Sequence, residues 1–113
     1  MKRGEVWTLQ DDRYASKARP VVIVQADIAD VSDSVILTLF TTFNNQTVGS
    51  RVAIEPSETN GLRTISFVMV EKLLTVRRSE LGAHIGSLTD DQMNAISRKL
   101  VQVLGITITH LSE

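Results

Sequence analysis

Short apolar runs separated by polar segments occupy most of the chain. Residues 5–10 alternate, with Val6 and Thr8 on one face and Trp7 and Leu9 on the other, which predicts a strand with two different faces. Residues 21–24 form a continuous β-branched run, which is typical of a strand buried on both sides. Further strands are predicted at residues 35–41, 51–54, 65–70 and 81–88.

The connections between these runs are polar or rich in turn-forming residues. Residues 11–18 and 26–33 predict loops, residues 44–50 predict a hairpin loop, and residues 56–63 predict a turn with Asn60-Gly61 as its sharpest signal. Pro20 has no N–H to donate, so we expect it to open the second strand and not to lie in its middle. The strands follow one another too closely for βαβ crossovers.

One segment carries a helical pattern. Thr89 and Gln92 fit a capping box, and Gly105 fits a C-cap. Between them, apolar residues recur at helical spacing (Met93, Ile96, Leu100, Val103 and Leu104). Five or six strands followed by this helix predict a small, strongly bent β-barrel with a helix packed on it. Residues 106–110 alternate like a strand and are either an edge element or a tail.

Composition narrows the class of protein. The 113 residues suit a single domain over residues 1–113. The absence of cysteine excludes a disulfide framework and thiolate chemistry and suits a reducing cytoplasm, the expected location. No apolar run approaches the roughly 18 residues of a membrane span. A net charge of −1 argues against a protein that coats nucleic acid, but a local basic groove is still possible.

An ordered series of short motifs is more specific than the composition. The motifs are KRGEVW at residues 2–7, ARPVVIV at 18–24, LFTT at 39–42, ETNGL at 58–62 and FVMVEK at 67–72. In their order and spacing they resemble the MazF/PemK (Kid) toxins, which are sequence-specific RNA-cleaving enzymes. The resemblance implies the SH3-like, CcdB-like plasmid maintenance toxin fold with a C-terminal amphipathic helix. It also implies the toxin component of a type II toxin–antitoxin system.

Three residues are candidates for catalysis. Arg19 carries a planar, permanently charged guanidinium, which suits a phosphate whose equatorial oxygens gain negative charge in the transition state. It matches the family's catalytic arginine. Thr41 ends an apolar run and could donate its hydroxyl to a phosphate oxygen, and it matches the family's serine or threonine. Glu71 matches a family acid, but a structural salt bridge to an arginine explains it equally well. Taken alone, each residue also fits an ordinary surface or strand-end role.

Basic and aromatic residues near predicted loops are candidates for RNA binding. They are Arg13, Tyr14, Lys17, Thr42, Phe43, Arg51, Lys72 and Arg77. Unstacked bases could rest on the two aromatic rings, although for Phe43 hydrophobic anchoring of a loop is an equal alternative. The only histidines, His84 and His110, lie far apart without a carboxylate at ligand spacing, so we expect neither a metal nor another cofactor. The ribose 2′-OH of RNA can serve as an internal nucleophile instead.

The chain also departs from the Kid-like pattern. Met69 occupies the position of an arginine two residues before the acid, residues 11–18 contain no histidine, and LTVR at residues 74–77 stands where many members have RTVD. A Kid-type acid–base set is therefore not expected, and the pair Arg19 and Thr41 remains.

The resemblance implies a metal-independent endoribonuclease that binds single-stranded mRNA as a homodimer and is inhibited by a cognate antitoxin. Its products would be a 2′,3′-cyclic phosphate and a 5′-hydroxyl. Two alternatives come from other functional classes. One is a non-catalytic CcdB-like toxin that binds DNA gyrase, and the other is an SH3-like binding module that has lost activity.

Overall fold

A computed structural model describes residues 1–11, 15–27, 33–45 and 47–107. Arg13, Tyr14 and His110 lie outside this described part. The elements are six strands, a short 3₁₀ helix at Arg78–Glu80 and one α-helix. They are β1 (Glu5–Asp11), β2 (Ala15–Ile23), β3 (Ser34–Thr41), β4 (Arg51–Ile54), β5 (Ser66–Arg77), β6 (Leu81–Ser87) and α1 (Asp90–Leu104).

The six strands form one antiparallel sheet in the order β4-β5-β3-β2-β1-β6. The mainly β fold with a C-terminal helix is confirmed, but the barrel prediction is wrong in one respect. No ladder joins β4 to β6 within the described residues, so the sheet is open. The predicted hairpin over residues 44–50 is also wrong, because β5 lies between β3 and β4.

Two strands are longer than their apolar runs. β2 begins at Ala15, so part of the predicted loop is strand and Pro20 lies within it. The described pairing of β2 with β3 covers only Val21 to Ile23, so Pro20 is paired with β1 but not with β3. A residue without an N–H is tolerated in a strand that has no partner on one side. β5 continues to Arg77, which places Glu71 inside the strand and not at its end.

Each face of the sheet carries its own core. One core joins the apolar face of α1, including Met93 and Ile96, to side chains such as Val22 and Val68. The other lies on the opposite face and includes Leu9, Val21 and Leu37, with Trp7 and Leu39 packed against it. Strand alternation therefore assigns each residue of β2 and β3 to one of two faces, which we call the helix face and the open face.

Local signals determine the helix ends as predicted. The Thr89 hydroxyl accepts from the Gln92 N–H at 3.1 Å, and the Gln92 side chain accepts from the Thr89 N–H at 2.9 Å. Gly105 ends the helix in the left-handed conformation at φ 65°. The capping box and the C-cap are both confirmed.

The turn between β4 and β5 packs against the edge strand β6. The Ser87 N–H donates to the Thr59 carbonyl at 2.7 Å. Gly61 has φ 72°, and a Cβ built there would lie 2.1 Å from the Ile85 carbonyl oxygen. Only glycine permits both this conformation and this close approach.

Candidate active site

Arg19 and Thr41 lie on adjacent strands at the same end of the sheet. Val21 pairs with Leu39 across β2 and β3, and Arg19 and Thr41 each lie two residues beyond that pair. Since alternate residues of a strand share a face, both belong to the open face with Val21 and Leu39. Residues separated by 22 positions in sequence therefore lie on one face of adjacent strands, two residues beyond the last β2–β3 pair.

Among the described residues, both side chains keep donor atoms that are not committed to another group. Arg19 is exposed, and no hydrogen bond or ion pair of its guanidinium is found among the described residues. Thr41 is half-buried, and its Oγ1 accepts from the Phe43 N–H at 3.2 Å. This bond occupies a lone pair of the hydroxyl and leaves its proton free to donate. The arrangement provides a fixed positive charge beside a neutral donor.

A β-bulge brings Glu71 toward this end of the open face. On β3 the residues Thr38 and Leu39 are consecutive, but their partners on β5 are Leu73 and Met69. Three residues of β5, at positions 70–72, are therefore extra at this point, which bends the strand locally. Thr38 is fully buried there, and its hydroxyl has no hydrogen-bond partner within the described part of the chain.

Arg51 and Ser50 hold the Glu71 carboxylate. Arg51 Nε and Nη2 donate to Oε2 at 3.0 and 2.8 Å, and Ser50 Oγ donates to Oε1 at 2.5 Å. Although burial raises the pKa of the Glu71 carboxyl, the hydrogen bonds from Arg51 and Ser50 outweigh it, so the pKa lies below its usual 4.5. Such a carboxylate is a weak proton acceptor at neutral pH.

The ion pair flanks the arginine–threonine pair on the same face. Arg51 is opposite Met69, which in turn is opposite Leu39. Two strand spacings, about 10 Å, therefore separate the Arg51 and Leu39 backbones. Sequence reasoning found Arg51 and Glu71 separately but missed Ser50, for which no local sequence signal exists.

The other predicted RNA-binding residues are spread more widely. Lys17 is exposed on β2, where the pairing with β1 shifts register between Arg19 and Ala15. Phe43 is 68% exposed just beyond Thr41. Lys72 is exposed within the bulge. Thr42 follows Thr41 and lines a cleft on the helix face.

Arg77 does not join this group. It pairs with Ser34 at the far end of β3, seven residues from Thr41, which corresponds to roughly 23 Å along a strand. A groove that contains Arg19 and Arg77 within one chain would have to cross the length of the sheet. Arg77 is therefore not part of the arrangement around Thr41.

Neither a metal site nor a membrane-spanning helix is found in the described part of the chain. It contains no group of three or more histidine or carboxylate side chains that could hold a metal ion. Its one α-helix is neither long nor apolar enough to span a membrane.

Comparison with known proteins decides the family. A family model described as PemK-like, MazF-like toxin of type II toxin–antitoxin system matches residues 2–104. The chain belongs to the PemK/MazF toxin family. The prediction from the sequence motifs is therefore confirmed. The CcdB-like alternative is not favoured, because the matching proteins are toxins and endoribonucleases of the PemK/MazF type.

Individual relatives match this chain over nearly its whole length. A probable endoribonuclease MazF from Mycolicibacterium smegmatis is 38% identical over 107 residues, covering 94% of this chain and 98% of that protein. The structure of an endoribonuclease in complex with its cognate antitoxin, from a mycobacterial species, has a TM-score of 0.80 at 26% identity, covering 96% and 99%. The Mycobacterium tuberculosis toxin MazF-mt6 has the same fold, with a TM-score of 0.77 at 24% identity over 92% and 99% of the chains.

Proposed function

We propose that this PemK/MazF toxin is a metal-independent, sequence-specific endoribonuclease that cleaves single-stranded mRNA. The observation that carries the proposal is the placement of Arg19 and Thr41. Arg19 lies within β2 and Thr41 ends the adjacent strand β3, on one face. Among the described residues the Arg19 guanidinium has no hydrogen-bond partner, and the Thr41 hydroxyl keeps its proton for donation. The names of the relatives support the reaction class, since one is named an endoribonuclease and another a probable endoribonuclease.

The reaction is an internal transesterification. The ribose 2′-oxygen attacks the adjacent phosphorus, the bond from phosphorus to the 5′-oxygen breaks, and the products are a 2′,3′-cyclic phosphate and a 5′-hydroxyl. The 2′ proton passes to solvent and the departing oxygen takes up another, so no water is consumed. Arg19 and Thr41 donate to the non-bridging oxygens, where charge accumulates. DNA lacks the nucleophile and is not cut.

Glu71 acts in this proposal through Arg51. Its carboxylate already accepts from Arg51 and Ser50, and its lowered pKa makes it a poor base. It fixes the Arg51 guanidinium on the face that carries Arg19, where Arg51 can contact a phosphate of the bound strand. Glu71 is thus a positioning residue.

Two further features of the proposal concern partners. The active form is a homodimer, and a cognate antitoxin with an acidic segment covers the basic residues that contact RNA. The structure of a mycobacterial endoribonuclease in complex with its cognate antitoxin supports the expectation of an antitoxin partner. The protein acts in the cytoplasm, where mRNA is available.

The deciding experiment is primer extension on a long RNA in the presence of a chelator. The wild-type protein should produce a set of sequence-specific stops. Arg19→Ala should lower the cleavage rate by about 10²-fold or more, the effect of removing one donor that stabilises transition-state charge. The matched control is Arg98→Ala, an exposed arginine of α1, which should leave the rate unchanged.

Two outcomes would overturn the proposal. One is an Arg19→Ala variant that cuts at the wild-type rate. The other is a wild-type protein that leaves RNA intact but inhibits purified gyrase, which would restore the non-catalytic alternative.

A further inference from the structure

A cleft of about 470 Å³ opens on the helix face, immediately behind the Arg19–Thr41 pair. Ala18 and Pro20, which flank Arg19 in β2, line it, as does Thr42, which follows Thr41. Its volume falls within the range of small-ligand pockets. The cleft and the proposed reaction centre therefore share a short stretch of backbone and face opposite sides of it.

The sheet is incomplete at this point. The described β2–β3 ladder ends at the Val21–Leu39 pair, so no bridge joins the two strands at Arg19 and Thr41. Arg19 is paired with β1 and Thr41 with β5, so the missing bridge is the one between β2 and β3, where β3 ends. The base of a nucleotide whose phosphate contacts this pair, or the base of an adjacent nucleotide, can turn past the end of β3 into the cleft.

The polar lining consists mainly of hydroxyl groups and one arginine. The Thr8 Oγ1 accepts from the Ala83 N–H at 2.9 Å, so its proton is free to donate. Arg63 and Thr42 are exposed, and neither side chain has a described partner. No carboxylate is among the lining residues. The cleft therefore presents donors and suits a ligand with acceptor atoms.

One lining residue offers an acceptor. Ser66 is buried, and its Oγ donates to the Thr64 carbonyl at 3.1 Å, which leaves its lone pairs free. Apolar side chains, including Leu62 and Ile85, complete the lining. A flat ring with carbonyl oxygens and one N–H matches this combination of apolar walls, several donors and one acceptor.

We propose that this cleft binds an unpaired uracil, whose two carbonyl oxygens and one N–H match this lining, beside the scissile phosphate, and so contributes to the choice of cleavage sequence. The inference rests on the proposed RNA cleavage. It assigns specificity to Thr42, Arg63 and the cleft, and leaves catalysis to the opposite face.

The test compares cleavage-site sequences for three variants. Arg63→Ala and Thr42→Val remove donors, and Ala18→Phe fills the cleft from an exposed strand position. The matched control for the filled variant is Ala26→Phe, at an exposed alanine beyond the other end of β2. Sites on a long RNA are mapped by primer extension, and kcat/KM is measured on short RNAs that differ only in the base at each position.

At one position of the cleavage motif, we expect the wild type to prefer uracil. The three variants should reduce that preference at least about fivefold, as expected for loss of a contact of about 1 kcal/mol, whereas cleavage of the disfavoured bases should change little. The control should retain the wild-type motif. Thermal melting of every variant checks that the fold is intact.

Unchanged base preference in all three folded variants would overturn the inference while leaving the proposed cleavage in place. If the wild type cuts no RNA, the proposed function fails, and binding of 2′-O-methyl U-rich, G-rich, A-rich and C-rich strands then tests the cleft alone. Equal binding of all four strands by wild type and Ala18→Phe would overturn it. The inference would also be overturned if Ala18→Phe abolished binding of an acidic peptide but left the RNA base preference unchanged.

Discussion

Replacement of Glu71 by glutamine distinguishes a general base from a positioning residue. Glutamine keeps an oxygen for Ser50 and Arg51 but loses the charge and the 2.8 Å contact with Arg51 Nη2. The Arg51 and Glu71 side chains are 14% and 28% exposed, and pairs with access to solvent contribute about 0.2–1 kcal/mol. We therefore expect cleavage to slow by no more than about fivefold. Removal of a general base would slow it by about 10²–10⁴.

The assay is single-turnover cleavage of a defined RNA in chelator, measured across neutral pH. Because the Glu71 pKa lies below 4.5, its titration should leave no inflection in the neutral range. The double variant Glu71→Gln, Arg51→Gln should cleave no more slowly than Arg51→Gln alone, since both changes disrupt the same ion pair. The matched control is Glu58→Gln, which makes the same change at an exposed glutamate. A loss above about 10²-fold in Glu71→Gln, additive with Arg51→Gln, would refute the reasoning.

The remaining predictions concern stability. Thr38→Val removes a buried hydroxyl that has no hydrogen-bond partner among the described residues. It should raise the free energy of unfolding by about 1 kcal/mol and Tm by about 4–8 °C. A Tm lower than that of the exposed control variant Thr75→Val would contradict this. Gly61→Ala should destabilise by about 2 kcal/mol or more in urea unfolding because its φ is 72°, whereas Gly49→Ala, which meets nothing within 4 Å, should not. The lowered Glu71 pKa stabilises the fold above pH 4.5 and that stability is lost as pH falls through the folded pKa; Glu71→Gln should flatten this part of the unfolding profile.

Predictions from local chemistry agreed with the structure. The helix begins after Thr89 and ends at Gly105, because a capping hydroxyl and a left-handed glycine act within a few residues. The short strand β4 has the predicted bounds. The ends of β2 and β5 were wrong, since neighbouring strands can stabilise an extended segment whose own residues read as polar loop.

The alternation of each strand, the helix, and the identities of the arginine and the hydroxyl that the family motifs mark could all be predicted from the chain alone. Which of these residues meet depends on how the strands pair. Arg19 and Thr41 lie on one face of adjacent strands, two residues beyond the last β2–β3 pair, and Glu71 binds Arg51, twenty residues away, across the β4–β5 pair. Arg77 is excluded by the same registers, although its charge and loop position looked equally suitable. Register depends on the packing of two cores and on a three-residue bulge, and these properties belong to the whole sheet and not to any segment of it.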